Sequence, residues 1–411
     1  MAMVVVGASL AGAKAAQALR EQGFDGEIVL IGSEGELPYE RPPLSKDYLQ
    51  GKSKREKVFV HSPDWYAENR VELRLDTTVA GIERERHVVS LADGSEVPYS
   101  KLLLTTGASP RRLPVPGGDA PNLLTLRTLA DSEHLRAIFV PGSELLVIGA
   151  GWIGLEAAAA ARAAGVEVTV VEALEQPLLG ALGPELGARF AALHRAHGVD
   201  LRLGVSISEF TLDDRGFATG IRLADGSTFD ADTILVAVGA APNTALAEAA
   251  GLEVDNGVVV DAALRSSDPD VFAAGDMARA WHPFYAEPVR VEHWANALNQ
   301  PAVAAAAMLG SADAEYTRLP YFYTDQYDLG MEYTGHVPST GYDQVVLRGD
   351  TGAEPGEYIA FWLAEGRVLA GMNVNVWDVT DDIKALIQSR AVVDPVRLAD
   401  VGVPLAELIA S

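Results

Sequence analysis

The chain has no cysteine among its 411 residues. Disulfides, thiolate metal sites and cysteine redox relays are therefore excluded. Basic residues are scarce: 32 Lys and Arg stand against 57 Asp and Glu, a formal net charge of -25. So acidic a chain repels phosphates, which argues against nucleic acid or anionic membrane as a partner and favours solubility. No long apolar run is free of glycine and charge. The longest, Leu145 to Ala161, contains Gly149, Gly151, Gly154 and Glu156 and reads as strand, turn and helix, not as a membrane span. A strand candidate begins at Met3 and leaves no room for a signal segment, so the cytoplasm is the expected location. The 8 histidines show no ligand spacing, and no metal is expected.

Hydrophobic residues make up 48% of the chain, enough for more than one core, and the length calls for two or three domains. Two segments look alike. MVVVGASLAGAKAAQALREQG precedes EIVLIGSE, and LLVIGAGWIGLEAAAAARAAG precedes VEVTVVEA. Each runs apolar strand, small-residue turn, alanine-rich helix, apolar strand, which is a βαβ unit with parallel strands. Two such units imply two dinucleotide sites.

In the second motif Gly149, Gly151 and Gly154 frame Ala150, Trp152 and Ile153. The first glycine permits the tight turn, the second lets the backbone approach a pyrophosphate, and the third lets helix and strand pack closely. The helix start then offers N–H groups and a positive dipole end to the phosphates. Glu172 lies about 18 residues beyond Gly154, at the end of the next strand, where it can accept from both ribose hydroxyls. It would repel a 2′-phosphate, so NADH is expected over NADPH, and Glu175 adds negative charge nearby. In the first motif Gly7, Ser9, Ala11 and Gly12 stand in corresponding places, with serine for the middle glycine. Its Cβ narrows the approach, while its hydroxyl can donate to a phosphate. The acid is displaced as well: Ser33 at the strand end, or Glu34 after it, can meet a ribose.

The remaining punctuation suggests one domain split in sequence. Apolar runs from Leu102 and from Ile234 end at Thr106–Gly107 and at Gly239, with prolines beyond, and read as crossings between domains. After Gly275–Asp276 a long apolar helix is expected from about His293 to Leu309, with Pro301 as a kink inside it. From Tyr321 onward, aromatic-rich strands and Gly/Pro turns, with a last helix near Asp381 to Ser389, read as a separate α+β domain.

Five further segments complete a pattern: PYERPPLSK from Pro38 to Lys46, Leu126–Arg127–Thr128, FAAGD from Phe272 to Asp276, EHWANA from Glu292 to Ala297, and PYFYTDQ from Pro320 to Gln326. Over essentially its whole length the chain resembles the ferredoxin reductases of bacterial oxygenase systems, the putidaredoxin reductase-like FAD/NAD flavoproteins. The resemblance implies an α/β fold with two Rossmann-like dinucleotide-binding domains, arranged as in glutathione reductase, plus a C-terminal α+β domain. FAD-binding is expected at 1–108 and 232–314, NADH-binding at 109–231, and the C-terminal domain at 315–411. By position, Ala11, Ser33, Lys46, Val79, Arg127, Asp276 and Trp294 fall where family members contact FAD. Arg41, Thr106, Gly107, Gly239 and Gly275 join the cofactor candidates. Asp276 would hold a ribityl hydroxyl, and the helix beginning at Trp294 would aim its N-terminus at the flavin pyrimidine edge. Tyr323 stands where relatives commonly carry tryptophan, over the nicotinamide or flavin face.

The implied chemistry is hydride transfer from NADH to flavin N5, followed by single-electron release to an iron–sulfur ferredoxin. That ferredoxin would feed a haem-thiolate monooxygenase or a ring-hydroxylating dioxygenase. Lys46, Glu156 and Tyr323 are the residues expected at the reacting centre. An acid in the first helical turn, where Glu156 is expected, suits the helix dipole whatever its function. A buried ammonium needs a partner, so a Lys46–Glu156 salt bridge is also expected. Two rival functions stay open: a reductase of a small acceptor such as a quinone or organic radical, and a non-catalytic NADH-sensing flavoprotein resembling apoptosis-inducing factor. A monomer is expected. Lys52, Lys54, Arg55 and Lys57 form the densest positive run, a candidate for docking an acidic ferredoxin.

Overall fold

The computed structural model describes residues 2–338, 340–352 and 355–409. They divide into two compact units. The first holds the residues up to Arg41, Arg55–Ser109 and Ala241–Phe322. The second holds Pro42–Lys54, Pro110–Ala240 and the described residues from Tyr323 onward.

In the first unit the strand Ala2–Val6 lies between Ile28–Ile31 and Glu96–Leu104, parallel to both. Val71–Arg74 extends the sheet on one side and Val271–Ala273 on the other, again in parallel. The start of Glu96–Leu104 instead pairs antiparallel with Val88–Leu91, which pairs with Val79–Glu83. Ala2–Val6 and Ile28–Ile31 are buried at every position, as continuous apolar runs must be when both faces of a parallel sheet are covered. The helices Leu10–Glu21 and Trp294–Met308 pack together. They bring buried alanines, Ala15 and Ala16 against a set including Ala304 and Ala305, into one core. The second helix runs through Pro301, which lacks the N–H an inner helical residue would donate.

The second unit contains a four-stranded parallel sheet in the order Asp200–Arg202, Glu167–Val171, Glu144–Ile148, Thr233–Val236. An antiparallel meander, Ile207–Leu212, Ala218–Leu223 and Thr228–Asp230, accompanies it. The carboxy-terminal part is a five-stranded sheet in the order Tyr321–Gln326, Leu329–Gly335, Arg367–Val374, Glu357–Ala364, Gln344–Asp350. From Leu329 onward its pairings are antiparallel. The helix Thr380–Ser389 buries Ile383, Leu386 and Ile387, the stripe expected of an amphipathic helix.

These units hold the expected NADH-binding and carboxy-terminal stretches together and differ from the expected limits in four places, the smallest being Ser109, which falls in the first unit. The segment 232–240 belongs to the second unit, because Thr233 to Val236 pair with Leu145 to Ile148. An apolar run announces a buried strand but does not say which sheet it enters. The carboxy-terminal share of the second unit begins at Tyr323 rather than 315, and Pro42–Lys54 groups with the second unit although it lies within the sequence of the first. Among the described residues no helix is long and apolar enough to cross a membrane.

Candidate active site

The two glycine turns share one construction. Gly7 and Gly149 adopt φ of +120° and +101°, a region open to glycine. A Cβ on Gly7 would lie 2.2 Å from the Thr105 carbonyl oxygen, and one on Gly149 would lie 2.5 Å from that of Ala237. A Cβ on Gly12 or Gly154 would fall 2.1 Å from the carbonyl oxygen of Gly7 or Gly149. Backbone cannot yield to such contacts, so the protein's own packing forces these four glycines. Gly151 is different. Its φ is -80°, and an added Cβ would meet nothing within 4 Å. The chain itself does not require glycine there, whereas a pyrophosphate laid against the backbone does. Ser9, in the corresponding first-motif position, sits at φ -125°, which suits serine. Neither Ser9 nor Gly151 gives its helix a side-chain cap, so both helix starts fit a phosphate acceptor.

Glu172 follows the strand Glu167–Val171 directly. Its carboxylate accepts from the backbone N–H of Ala150 at 2.7 Å and of Leu174 at 2.9 Å. The glycine turn thus fixes the acid beside itself. Trp152 meets Phe190 edge-on at 5.7 Å, and Ile153 is exposed.

In the first unit Ser33 is exposed and Glu34 is half-buried after the strand Ile28–Ile31. Glu34 accepts from the Tyr39 hydroxyl at 2.5 Å and from Arg41 at 3.5 Å, while the Arg41 guanidinium covers the Tyr39 ring. Gly275 donates its N–H to the buried Gln300 side chain at 2.7 Å. A Cβ on Gly275 would sit 3.4 Å from that of Ala11, so Asp276 follows a turn set against the first glycine loop. Trp294 is the first residue of its helix and donates from Nε1 to Glu40 at 2.9 Å. Thr106 and Gly107 are both bonded to Asn243 at 2.9 Å, and Gly239 accepts from the Arg111 N–H at 2.9 Å. Val79 opens the strand Val79–Glu83. Arg127 precedes the helix Leu129–Ile138, its backbone N–H bonded to Asp131 at 2.9 Å.

The buried polar centre of the second unit is Lys46 with Glu156. The 3₁₀ turn Pro42–Ser45 delivers Lys46, and Ser132, which donates to the Leu44 carbonyl at 2.8 Å, anchors that turn. Lys46 Nζ lies 2.8 Å from each Glu156 oxygen. The Thr324 hydroxyl donates to Oε1 at 2.5 Å, and the Ser45 hydroxyl donates to Oε2. Lys46 is 9% exposed and Glu156 3%. Two charges so far from water cost several kcal/mol each unless donors saturate them, and this carboxylate is saturated. The Tyr323 ring centroid stands 5.3 Å from Lys46 Nζ, within cation–π range. One expectation is corrected. Gly151 is the N-cap and the helix runs Trp152–Ala163, so Glu156 lies beyond the first turn, which holds no acid. The helix dipole therefore does not account for it; Lys46 and the two hydroxyls do. Among the described residues no group of His, Asp or Glu is arranged to hold a metal ion.

The pyridine nucleotide-disulphide oxidoreductase family profile matches residues 1–301, and a reductase C-terminal profile matches 321–409. Putidaredoxin reductase CamA of Pseudomonas putida is 39% identical over 100% of this chain and 97% of its own length. The ferredoxin–NAD(+) reductase component of the anthranilate 1,2-dioxygenase system of Burkholderia cepacia is 41% identical over 98% of both chains. The chain belongs to the ferredoxin reductases of the pyridine nucleotide-disulphide oxidoreductase family. Its fold agrees: the covalent putidaredoxin reductase–putidaredoxin crystal structure superposes with a TM-score of 0.94 at 38% identity, covering 100% of this chain and 98% of that one.

This reductase is an FAD- and NAD(H)-dependent oxidoreductase. Despite the family's name it holds no cysteine with which to perform disulphide chemistry. Ser45 and Thr324 were not singled out from the sequence, although both complete the Glu156 site. Ser45 stands next to Lys46, which was the available signal. For Thr324 the signal was only its membership of a recognisable segment.

Proposed function

We propose that this reductase takes electrons from NADH onto FAD and passes them singly to an iron–sulfur ferredoxin that serves an oxygenase, in the cytoplasm where NADH is at hand. One observation carries the reading: each of the two compact units contains a glycine turn of the same construction, opening a helix that no side chain caps. Two nucleotide cofactors in one chain is the minimum that a hydride-to-electron converter needs. The relatives named for oxygenase systems, and the putidaredoxin complex, support the choice of acceptor.

Bound FAD would supply the conversion itself, accepting a hydride at N5 and giving up electrons one at a time. The chain's part is to bind, orient and charge the site. The helix at Leu10 and the Glu34–Tyr39–Arg41 cluster suit the FAD phosphates and ribose. Asp276 and the helix start at Trp294 suit the ribityl chain and the pyrimidine edge. Gly151, the helix at Trp152 and Glu172 suit NADH. Lys46 offers a positive charge that Glu156 keeps fixed, and Tyr323 offers an aromatic face within cation–π range of it.

The test is anaerobic stopped-flow on flavin-loaded protein. NADH should bleach the flavin, and a [2Fe–2S] ferredoxin should then be reduced catalytically. Lys46→Met should slow flavin reduction more than tenfold with FAD retained and NADH affinity nearly unchanged. Failure to bind FAD, or bleaching with no electron transfer to any ferredoxin, would refute this reading.

A further inference from the structure

Glu156 has a second line of contacts that the proposed chemistry leaves unused. Strand side chains alternate between faces, so Thr324 and Gln326 share the buried face of Tyr321–Gln326 while Asp325 between them is exposed. Gln326 Nε2 lies 3.2 Å from Thr324 Oγ1, and Gln326 Oε1 lies 2.8 Å from Nε2 of His194. His194, on the helix Pro184–Ala196, is 0% exposed. Its Nδ1 lies 3.2 Å from the Tyr327 hydroxyl, and the Tyr327 ring stacks at 3.7 Å on His197. Tyr327, His194, Gln326, Thr324 and Glu156 thus form one unbranched chain of hydrogen bonds, ending at the oxygens that hold Lys46.

Its protons can be arranged in one way only. An ionised carboxylate accepts and never donates, so the Thr324 hydroxyl spends its single proton on Glu156. Thr324 Oγ1 must then accept from the Gln326 amide nitrogen, which turns the Gln326 carbonyl oxygen toward His194. His194 must donate from Nε2. Burial pushes the His194 pKa down to about 4, so at neutral pH the ring carries that one proton and Nδ1 accepts from Tyr327. Every donor points toward Glu156, and aligned bonds of this kind strengthen one another.

We propose that His194, Gln326 and Tyr327 are positioning residues, a hydrogen-bond relay that fixes the orientation and charge of Glu156 and through it the place of Lys46. The inference rests on Lys46 acting in flavin reduction. A set of buried polar groups that merely satisfied one another would be indifferent to the direction of the chain; this arrangement is not.

The test has a spectroscopic arm and a kinetic arm, both on flavin-loaded protein. In the first, histidine is labelled with 15N and His194 is assigned by the signals lost in His194→Asn. The Nε2–H tautomer should dominate. Thr324→Val, nearly isosteric, frees the Gln326 amide to turn over, and both His194 tautomers should then appear; Thr324→Ser should restore the single form. In the second arm Gln326→Leu, which touches neither Lys46 nor Glu156, should slow flavin reduction by NADH about tenfold, the worth of one buried hydrogen bond, with the NADH Kd unchanged. An unaltered tautomer in Thr324→Val, or an unaltered rate in Gln326→Leu, overturns the relay. Lys46→Met separates the two ideas. If that change leaves the rate intact, the role given to Lys46 is wrong, while the tautomers still judge the relay.

Discussion

Removing charge from the Lys46–Glu156 pair should cost less when both charges go than when one is left behind. Lys46→Met keeps the aliphatic stem and deletes the ammonium. Glu156, 3% exposed, then retains two hydroxyl donors and no counter-charge. Breaking a buried pair from one side costs about 3–5 kcal/mol, and the surviving hydroxyl bonds place this case near the lower figure. Glu156→Gln strands an ammonium whose side chain is 11% exposed and can turn toward water, for about 2–3 kcal/mol. The double variant strands no charge, and its amide can still accept from a hydroxyl, so about 1 kcal/mol is expected. The coupling is therefore about 4 kcal/mol. The assay is urea unfolding of the four proteins at matched concentration and saturating FAD, followed by circular dichroism. Because two units can unfold separately, slopes as well as midpoints must be compared. Losses that add to within about 0.5 kcal/mol would refute the pairing as an energetic unit.

Three further outcomes follow from other parts of the molecule. Glu172→Gln should shrink the preference for NADH over NADPH in kcat/KM; equal use of both by the unmodified protein would show that Glu172 does not choose the cofactor. Gly151→Ala should leave the melting temperature almost unchanged while raising the KM for NADH, whereas Gly154→Ala, aimed at a carbonyl oxygen 2.1 Å away, should destabilise the fold; the reverse pattern would contradict the pyrophosphate assignment. Burial lowers the His194 pKa from 6.5 to about 4, so between those values the unfolded chain takes up a proton that the folded chain refuses. Stability should fall as pH drops through that window and level off below it, with about 2 kcal/mol lost by pH 5. His194→Asn should flatten that difference in denaturation curves, and parallel losses in both proteins would exclude it.

The glycine turns were legible in the sequence for a local reason. Gly7, Gly12, Gly149 and Gly154 are constrained by atoms in their own βαβ unit or in the neighbouring strand, so spacing alone carries the information. The place of Glu172, directly after the next strand and bonded to the Ala150 N–H, follows from the same spacing. The surroundings of Glu156 were not. Ser45 and Thr324 reach it from 111 and 168 residues away, and no period in the sequence encodes such a meeting. The first-turn placement of Glu156 failed because the helix start depends on which loop residue becomes the N-cap, here Gly151. The run at Thr233–Val236 was recognisable as a strand, but strand identity is a property of composition, whereas its partner Glu144–Ile148 is a property of the folded chain.

The interleaving of the two units along the sequence bears on how the protein is made. A ribosome releases residues in order, and Ala2–Val6, Ile28–Ile31 and Glu96–Leu104 emerge early. Their sheet waits for Val271–Ala273, and the helix Leu10–Glu21 waits for Trp294–Met308 to cover it. The parallel sheet closed by Thr233–Val236 needs nothing later than that strand to complete its pairing. The middle of the chain can therefore mature first, while the earliest strands stay partly uncovered through most of translation. Such a nascent chain presents apolar strand edges for seconds, long enough for aggregation or chaperone capture to compete with folding. Slowing translation between Val236 and Trp294 should lower the soluble yield more than the same delay placed after Met308.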